Sequence, residues 1–487
     1  MDKLIEQEIS KLVNNSDFIT RNNIDINREL INIEYLYTCI SNSEYQKIVD
    51  SIYNLSINNG KMITKNMISY RVNKILLEYC QKHFGLMEKS ITTLNEHPFW
   101  EQKSELWLSQ RKTMLTGTDA GKVVNTGSDD NREEKLFNIA KDKLDYKEIL
   151  QVPNIYHSRI SSTAMRHGNI YEDVSLLIYE TRLNVKVSEY GLIKSYKLNF
   201  IGASPDGVVT NVDYTDYNSF RRYGRLVEVK NPFSRIINDT IKEDYRFQML
   251  QQQYTCEIPV CDFLETTIID MDCPIKGMKP YNNIKSMLND VLDTDDPEWE
   301  SKIQNHNIPF TNLNSEGKEK GVLLSFTKNE DRKTFIYPIT EEYTVKSILT
   351  WKKETIAKMS SEGFNDYVFK VWKLEVFDVK QFVFNGKEYI SEDIPILDSS
   401  WKLISQFKQK LIDIIRKKQK FLSIPDIYDY MRGLTYSKYL TLVNDANFGQ
   451  HIDQIIDSNI GNNRDDSNNS GKSSNNNESN IDISKYL

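Results

Sequence analysis

The stretch from Ile201 to Pro232, IGASPDGVVTNVDYTDYNSFRRYGRLVEVKNP, limits the fold more than any other. It closes on an apolar strand pattern, Leu226 to Lys230, that carries Glu228 and Lys230 two residues apart. At a side-chain period of two, Leu226, Glu228 and Lys230 share one face, and Val227 and Val229 take the other. Alone the charged pair is unremarkable, since such pairs commonly line a solvated face. Asp206 changes the weighing. It follows Pro205 and precedes Gly207, an ordinary turn tripeptide by itself. An antiparallel neighbour, however, would set it beside Glu228. Two carboxylates that close repel and raise one pKa unless a cation neutralises them. Their hard oxygens, with the Val229 carbonyl, are donors that Mg2+ or Mn2+ accepts. Lys230 would then face an attacking water or a phosphate oxygen, where an ammonium stabilises the charge that builds in phosphodiester cleavage.

Helical periodicity fills residues 1–95, and Pro98 in NEHPFW discourages a helix from running past that boundary. Residues 96–290 alternate helices with short β-branched strands, an α/β pattern. Within it, helices are expected around SELWLSQRK, at TGTDAGKVV, from about 160 to 181 with Ser162 as N-cap, and at about 239–256. Strands are expected at VSEYGLIKS, LNFIGASPDGVV, RLVEVK and VCDFLETTIID, with a linker at 276–295. Residues 291–457 read as a strand-rich extension with a hairpin turn at NGK. SSWKLISQFKQKLIDIIRKKQKF follows as an amphipathic helix with a Ser N-cap and a basic end. The Asn/Ser-rich tail, 458–487, has the composition of a disordered segment.

Two further pieces are weak singly. Glu172 lies in the helix STAMRHGNIYEDVSLLIYE, where the bland reading is an exposed acid. Gln248, Gln251 and Gln252 lie on adjacent turns, with Gln248 and Gln252 stacked at i, i+4, which is often only a polar face.

Taken in order, Arg111 with TGTDA, MRHGNIYE, SPDG, EVK and Y-x-x-Q resemble the PD-(D/E)xK nuclease superfamily. More narrowly they resemble the phage lambda exonuclease / YqaJ-type viral recombinase family, over roughly 100–275. The resemblance implies a restriction-endonuclease-like core, a mixed central sheet flanked by helices. It implies Asp206 and Glu228 as the main metal ligands, Glu172 completing the site, and the Val229 carbonyl as a further donor. Lys230 becomes the catalytic lysine, and Gln248 its buttress. Arg111 and Thr118 match a pair that binds the DNA 5′-phosphate, although the family usually has Ser where Thr118 stands. The insertion between Asp206 and Glu228 is long and brings Arg221, Arg222 and Arg225 near the site. Turn arginines are usually solvated; in a nuclease they would grip the DNA backbone.

The implied activity is an Mg2+-dependent (or Mn2+-dependent) 5′→3′ exonuclease on double-stranded DNA ends, in viral recombination, repair or processing of replication intermediates. Two alternatives stay open, a structure-specific endonuclease on the same fold and an inactive DNA-binding or assembly protein. A single-strand annealing protein and a homo-oligomer are the partners the family suggests. The Asn/Lys bias resembles a large DNA virus of eukaryotes.

Bulk composition excludes other classes. The net charge of −7 gives no global nucleic-acid footprint, so any DNA contact must be a local basic surface. Five scattered cysteines contain no CxxC pair, which reads as free thiols in a reducing compartment. The polar N-terminus carries no signal peptide and no apolar run reaches membrane length, so the expectation is a soluble intracellular protein. For a viral protein that means host cytoplasm, virus factory or virion.

Overall fold

Leu226–Lys230 forms the interior strand that its composition demands. Leu226, Val227 and Glu228 are wholly buried, and a strand covered on both faces reads as a near-continuous apolar run. The computed structural model describes residues 1–13, 39–124, 131–151, 163–270, 319–328, 331–338, 345–384 and 386–444. The Ser162 cap, the 276–295 linker, Asn385 of the NGK turn and the 458–487 tail lie outside them. The chain divides into two compact units, Met1–Asn125 with Tyr156–Asp398, and Thr126–Ile155 with Ser399–Leu487.

In the first unit, α1 (Asp2–Val13), α2 (Asn42–Asn58) and α3 (Lys65–Asn95) precede α4 (Glu105–Arg111) and α5 (Gly117–Val124). Then come α8 (Thr163–Leu183), β1 (Val185–Ser188), β2 (Ile193–Lys194), β3 (Gly202–Ala203), β4 (Gly207–Val212), α9 (Tyr217–Phe220) and β5 (Leu226–Lys230). α10 (Glu243–Cys256), β6 (Val260–Asp270), β7 (Lys320–Lys328), β8 (Asp331–Ile336), α11 (Val345–Ser361) and β9 (Tyr367–Val383) complete it. Side-chain caps start several of these helices: Ser41 opens α2 with a reciprocal capping box, and Ser104 accepts from Trp107 N at α4.

One seven-stranded sheet runs β1-β4-β5-β6-β9-β7-β8. β5 and β6 are parallel, joined through α10, and every other pair is antiparallel. Asp262 and Thr266 of β6 meet Tyr179 and Ser175 of α8, while Glu228 of β5 meets Gln252 of α10. Val227 pairs with Asp262 and Glu228 with Phe263, so the two helices cover opposite faces. This mixed sheet with helices on both faces has the α/β arrangement expected of a restriction-endonuclease-like core.

The sheet does not end where the expected division at residue 290 falls. β6 pairs along its whole length with β9, and β7 and β8 extend the same sheet. The N-terminal helices share a core with it as well: Ile9, Val49, Ile68 and Cys80 cluster with Phe220, Leu226 and Phe263. The two strands expected across DYVFKVWKLEVFDV and KQFVFNGKEYI are one strand, β9. Gly386 and Glu388 of the expected NGK hairpin region sit in a helical turn. All four cysteines among the described residues are buried thiols outside any disulfide. No described helix is long and apolar enough to cross a membrane.

The second unit holds α6 (Arg132–Asp142), α7 (Tyr146–Leu150), most of α12 (Ile394–Lys418), α13 (Ile424–Gly433) and α14 (Tyr436–Asn444). The expected Ser cap of α12 is not its start. The helix begins at Ile394, because Pro395 is tolerated in a first turn, and a π-helical turn at Tyr389–Asp393 leads into it. Ser400 is an interior, fully buried residue that accepts from Arg132 Nη2 at 2.7 Å.

Candidate active site

The β4–β5 register pairs Gly207 with Val227 and Val208 with Leu226; continued by one residue, it sets Asp206 opposite Glu228. Asp206 is half-buried, and its Oδ2 accepts from the Val229 backbone N–H at 2.7 Å. Burial first, then the nearby Glu228 and Glu172 carboxylates, push its pKa well above the ordinary range. Glu228 is fully buried, and its Oε1 takes the Lys230 ammonium. Burial opposes the charge on Lys230, yet Glu228 and Asp206 more than offset it and hold the lysine protonated. Lys230 Nζ also lies 5.3 Å from the Tyr245 ring centroid, a cation–π contact from α10.

The remaining Glu228 oxygen, Oε2, accepts from Gln252 Nε2 at 2.6 Å. Gln252, rather than Gln248, therefore meets Glu228 of β5. Gln248 packs one turn away against α5, where a Cβ added to Gly117 would lie 3.0 Å from Gln248 Cγ. Gln251 fastens α10 to the backbone, donating to Gly202 O at 2.7 Å and Leu115 O at 2.9 Å. The i, i+4 stacking of Gln248 and Gln252 carried the signal for Gln252, since both lie on the same stripe of one helix.

Arg111 and Thr118 sit apart in environment. Arg111 stacks on Trp107, 4.3 Å from the ring centroid, and its Nη2 donates to Thr116 Oγ1 at 3.4 Å. Burial lowers its pKa, with Asp119 opposing. Thr116, buried, donates from N and Oγ1 to the Asp119 carboxylate at 2.9 and 2.8 Å, while Thr118 is exposed in the first turn of α5. Trp107 Nε1 donates to Ser204 Oγ at 2.9 Å, tying this arginine's stacking partner to the SPDG corner. Sequence reasoning missed Trp107 and Thr116, although Trp107 stands one helical turn before Arg111.

Arg221, Arg222 and Arg225 are not a DNA-gripping loop. All three are buried. Arg222 pairs with Asp262 Oδ2, Arg225 Nη1 donates to Asp262 Oδ1 at 2.9 Å, and Tyr179 Oη donates to Oδ2 at 2.7 Å. Arg221 Nη1 reaches Gln381 Oε1 at 3.2 Å. The insertion folds onto the N-terminal helices instead. Tyr223 stacks on Phe84 at 4.9 Å, and Gly224, at a φ of +76°, passes close to the Met87 carbonyl. With Arg222 and Arg225 committed to a buried carboxylate and Arg221 buried against Gln381, these guanidiniums do not present themselves to a phosphate backbone. Asp262, in an apolar strand of β6, gave its signal only through its burial partners.

A second charged cluster adjoins Lys230. Glu265, paired in register with it, is buried between Arg235 and Lys380, whose Nζ is 2.8 Å from Oε2. Among the described residues no three His, Cys, Asp or Glu side chains stand together as a ready-made ion cage. The donor set nevertheless suits a hard cation: carboxylates crowded enough to raise Asp206's pKa are those whose repulsion a divalent ion relieves.

Residues 106–259 match the model of the YqaJ-like viral recombinase domain. The chain is 27% identical over 401 residues to the uncharacterized protein R354 of Acanthamoeba polyphaga mimivirus, covering 79% of this chain and 67% of that one. Among solved structures it is similar to an alkaline exonuclease (LHK-Exo) from Laribacter hongkongensis, at 22% identity and a TM-score of 0.26. That match covers 34% of this chain and 74% of the other. The same enzyme in complex with dAMP matches at 22% identity and a TM-score of 0.26, over 35% and 76%.

Proposed function

We propose that the YqaJ-like domain at 106–259 is a metal-dependent deoxyribonuclease, acting 5′→3′ on the ends of duplex DNA. One observation carries the reading: the β4–β5 register sets Asp206 beside Glu228, with Lys230 on the Glu228 carboxylate. Buried like charges are costly unless a cation joins them. Glu172, Asp206, Glu228 and the Val229 carbonyl would hold Mg2+ or Mn2+. When bound, such an ion acidifies water and offsets charge on the phosphate.

The chain's own residues do the rest. Gln252 fixes the Glu228 carboxylate, and the Val229 N–H fixes Asp206. Lys230, kept protonated, stands where charge grows on the attacked phosphate. Water adds to phosphorus, the bond to the 3′-oxygen breaks, and that oxygen takes a proton as a 5′-nucleotide leaves. Arg111, stacked on Trp107, takes the 5′-phosphate with Thr116 or Thr118 beside it. Viral recombination or repair is the setting, with an annealing protein as partner and a homo-oligomer as the working form.

The test uses purified protein, Mg2+ and three substrates: 5′-phosphorylated linear duplex, 5′-hydroxyl duplex and closed circles. Mononucleotides released from phosphorylated ends alone, and lost in Lys230→Ala and Glu228→Ala, support the exonuclease. Nicked circles support the endonuclease instead, and binding without cleavage overturns the enzyme reading.

A further inference from the structure

One side of α12 packs into the second unit's core. Ile404, Phe407, Leu411 and Ile415 are buried, and Phe407 meets Phe137 of α6 at 5.9 Å edge-on. The opposite side is exposed and basic. Lys402, Lys410, Arg416 and Lys417 are exposed on it, with Gln406, Gln409 and Asp413 between them. At about 100° per residue these positions fall within an arc of roughly 120°, and at about 1.5 Å per residue Lys402 to Lys417 spans roughly 22 Å. Between Lys402 and Lys417, Asp413 is the single acid on that arc. Lys420, also exposed, continues the charge past the helix end.

Helix-dipole stabilisation accounts for basic residues in the last turn, Arg416, Lys417 and Lys418. It does not account for Lys410 or Lys402, two and four turns back, because the dipole's effect fades beyond the terminal turn. In a chain whose net charge is −7, a face with four cations against one anion is a concentrated exception.

We propose that this face of α12 binds the phosphate backbone of duplex DNA without reading sequence. A linear row of long cationic side chains matches a polyanion with one charge per roughly 1.7 Å of axis, and glutamines between them can donate to phosphate oxygens. The face carries no aromatic side chain from Lys402 to Lys417, so it lacks a base-stacking platform. The choice of DNA as the polyanion rests on the nuclease reading above.

The experiment measures anisotropy of a labelled duplex of about 30 base pairs in EDTA, across roughly 50–200 mM salt. The full chain is compared with the neutralised triple K410Q/R416Q/K417Q and the charge-keeping triple K410R/R416K/K417R. The neutralised form should bind about tenfold more weakly at roughly 0.15 M salt, with a log–log salt slope shallower by about 2–3. The charge-keeping form should match wild type, and circular dichroism should show equal helix content in all three. Unchanged affinity and slope in the neutralised triple overturn the proposal. So does loss of binding to phosphatidylserine vesicles with DNA binding intact, which assigns the face to a membrane. A wild type that binds duplex through this face yet cuts nothing with Mg2+ sinks the nuclease reading alone. A neutralised form that binds and cuts like wild type sinks this surface alone.

Discussion

Gln252 Nε2 sits 2.6 Å from Glu228 Oε2, on the far side of the carboxylate from Lys230. Glu228 is fully buried, so each of its oxygens needs a donor, and α10 supplies one of them. Gln252→Leu removes that donor at similar volume. The unpaired oxygen should cost roughly 1–3 kcal/mol of stability, and, with Glu228 as the proposed metal ligand, turnover should fall about tenfold to a hundredfold. Gln248→Ala, whose side chain packs on α5, should change turnover far less. Melting curves and single-turnover hydrolysis check the pair; equal effects would remove Gln252 from its positioning role.

The Asp262 network makes an opposite kind of prediction. Two buried guanidiniums share one buried carboxylate, so Asp262→Asn removes the charge that both pair with. Breaking such a pair from one side typically costs about 3–5 kcal/mol. Asp262→Asn and Arg222→Gln should therefore lower the melting temperature sharply while leaving DNA affinity unchanged below it. Weakened DNA binding with unaltered melting would return these arginines to the DNA surface.

How far the sequence reached depends on what kind of contact was needed. The Asp206–Glu228–Lys230 grouping was legible because period-two strands and an antiparallel return place residues by geometry alone. The buried fate of Arg221, Arg222 and Arg225 was not, because Asp262, the partner of Arg222 and Arg225, lies some forty residues on in β6, and Gln381, which Arg221 reaches, lies farther still in β9. A polar insertion looks the same whether it meets water or a carboxylate. The strand-rich region after 305 was legible as strands but not as part of the same sheet. Only the β6–β9 pairing, more than a hundred residues apart in sequence, joins them. The shift from Gln248 to Gln252 is one helical turn, below what a motif match on a single stripe distinguishes.

Arg111 is held by stacking as much as by hydrogen bonding, 4.3 Å from the Trp107 centroid with Thr116 Oγ1 at 3.4 Å. A planar guanidinium can lie flat on the indole and donate from its edge at the same time, a combination a lysine ammonium does not reproduce. If this pocket takes the 5′-phosphate, Arg111→Lys should lose the preference for phosphorylated over hydroxyl ends nearly as fully as Arg111→Ala. Trp107→Leu should weaken it, and Thr118→Ser should keep it. The ratio of hydrolysis rates on the two end types is the readout, and a Lys variant with full preference would refute the stacking role.

Asp206 gives the pH dependence its sign. In the folded chain its pKa is raised well above 3.8 by burial and by Glu228 and Glu172. The native state therefore holds a proton that the unfolded state has released, and stability falls as pH rises from near the ordinary carboxylate value through the folded one. Asp206→Asn keeps an oxygen to accept from the Val229 N–H but carries no charge. In EDTA this variant should melt above wild type at pH 8, and the gap should close toward pH 4. Added Mg2+ should raise the melting temperature of wild type most at the higher pH, where binding need not displace a proton, and should do little for the variant. Scanning calorimetry with and without the ion checks both halves. Identical melting of the two proteins across this range would mean that Asp206 does not carry the crowded charge on which the site's chemistry depends.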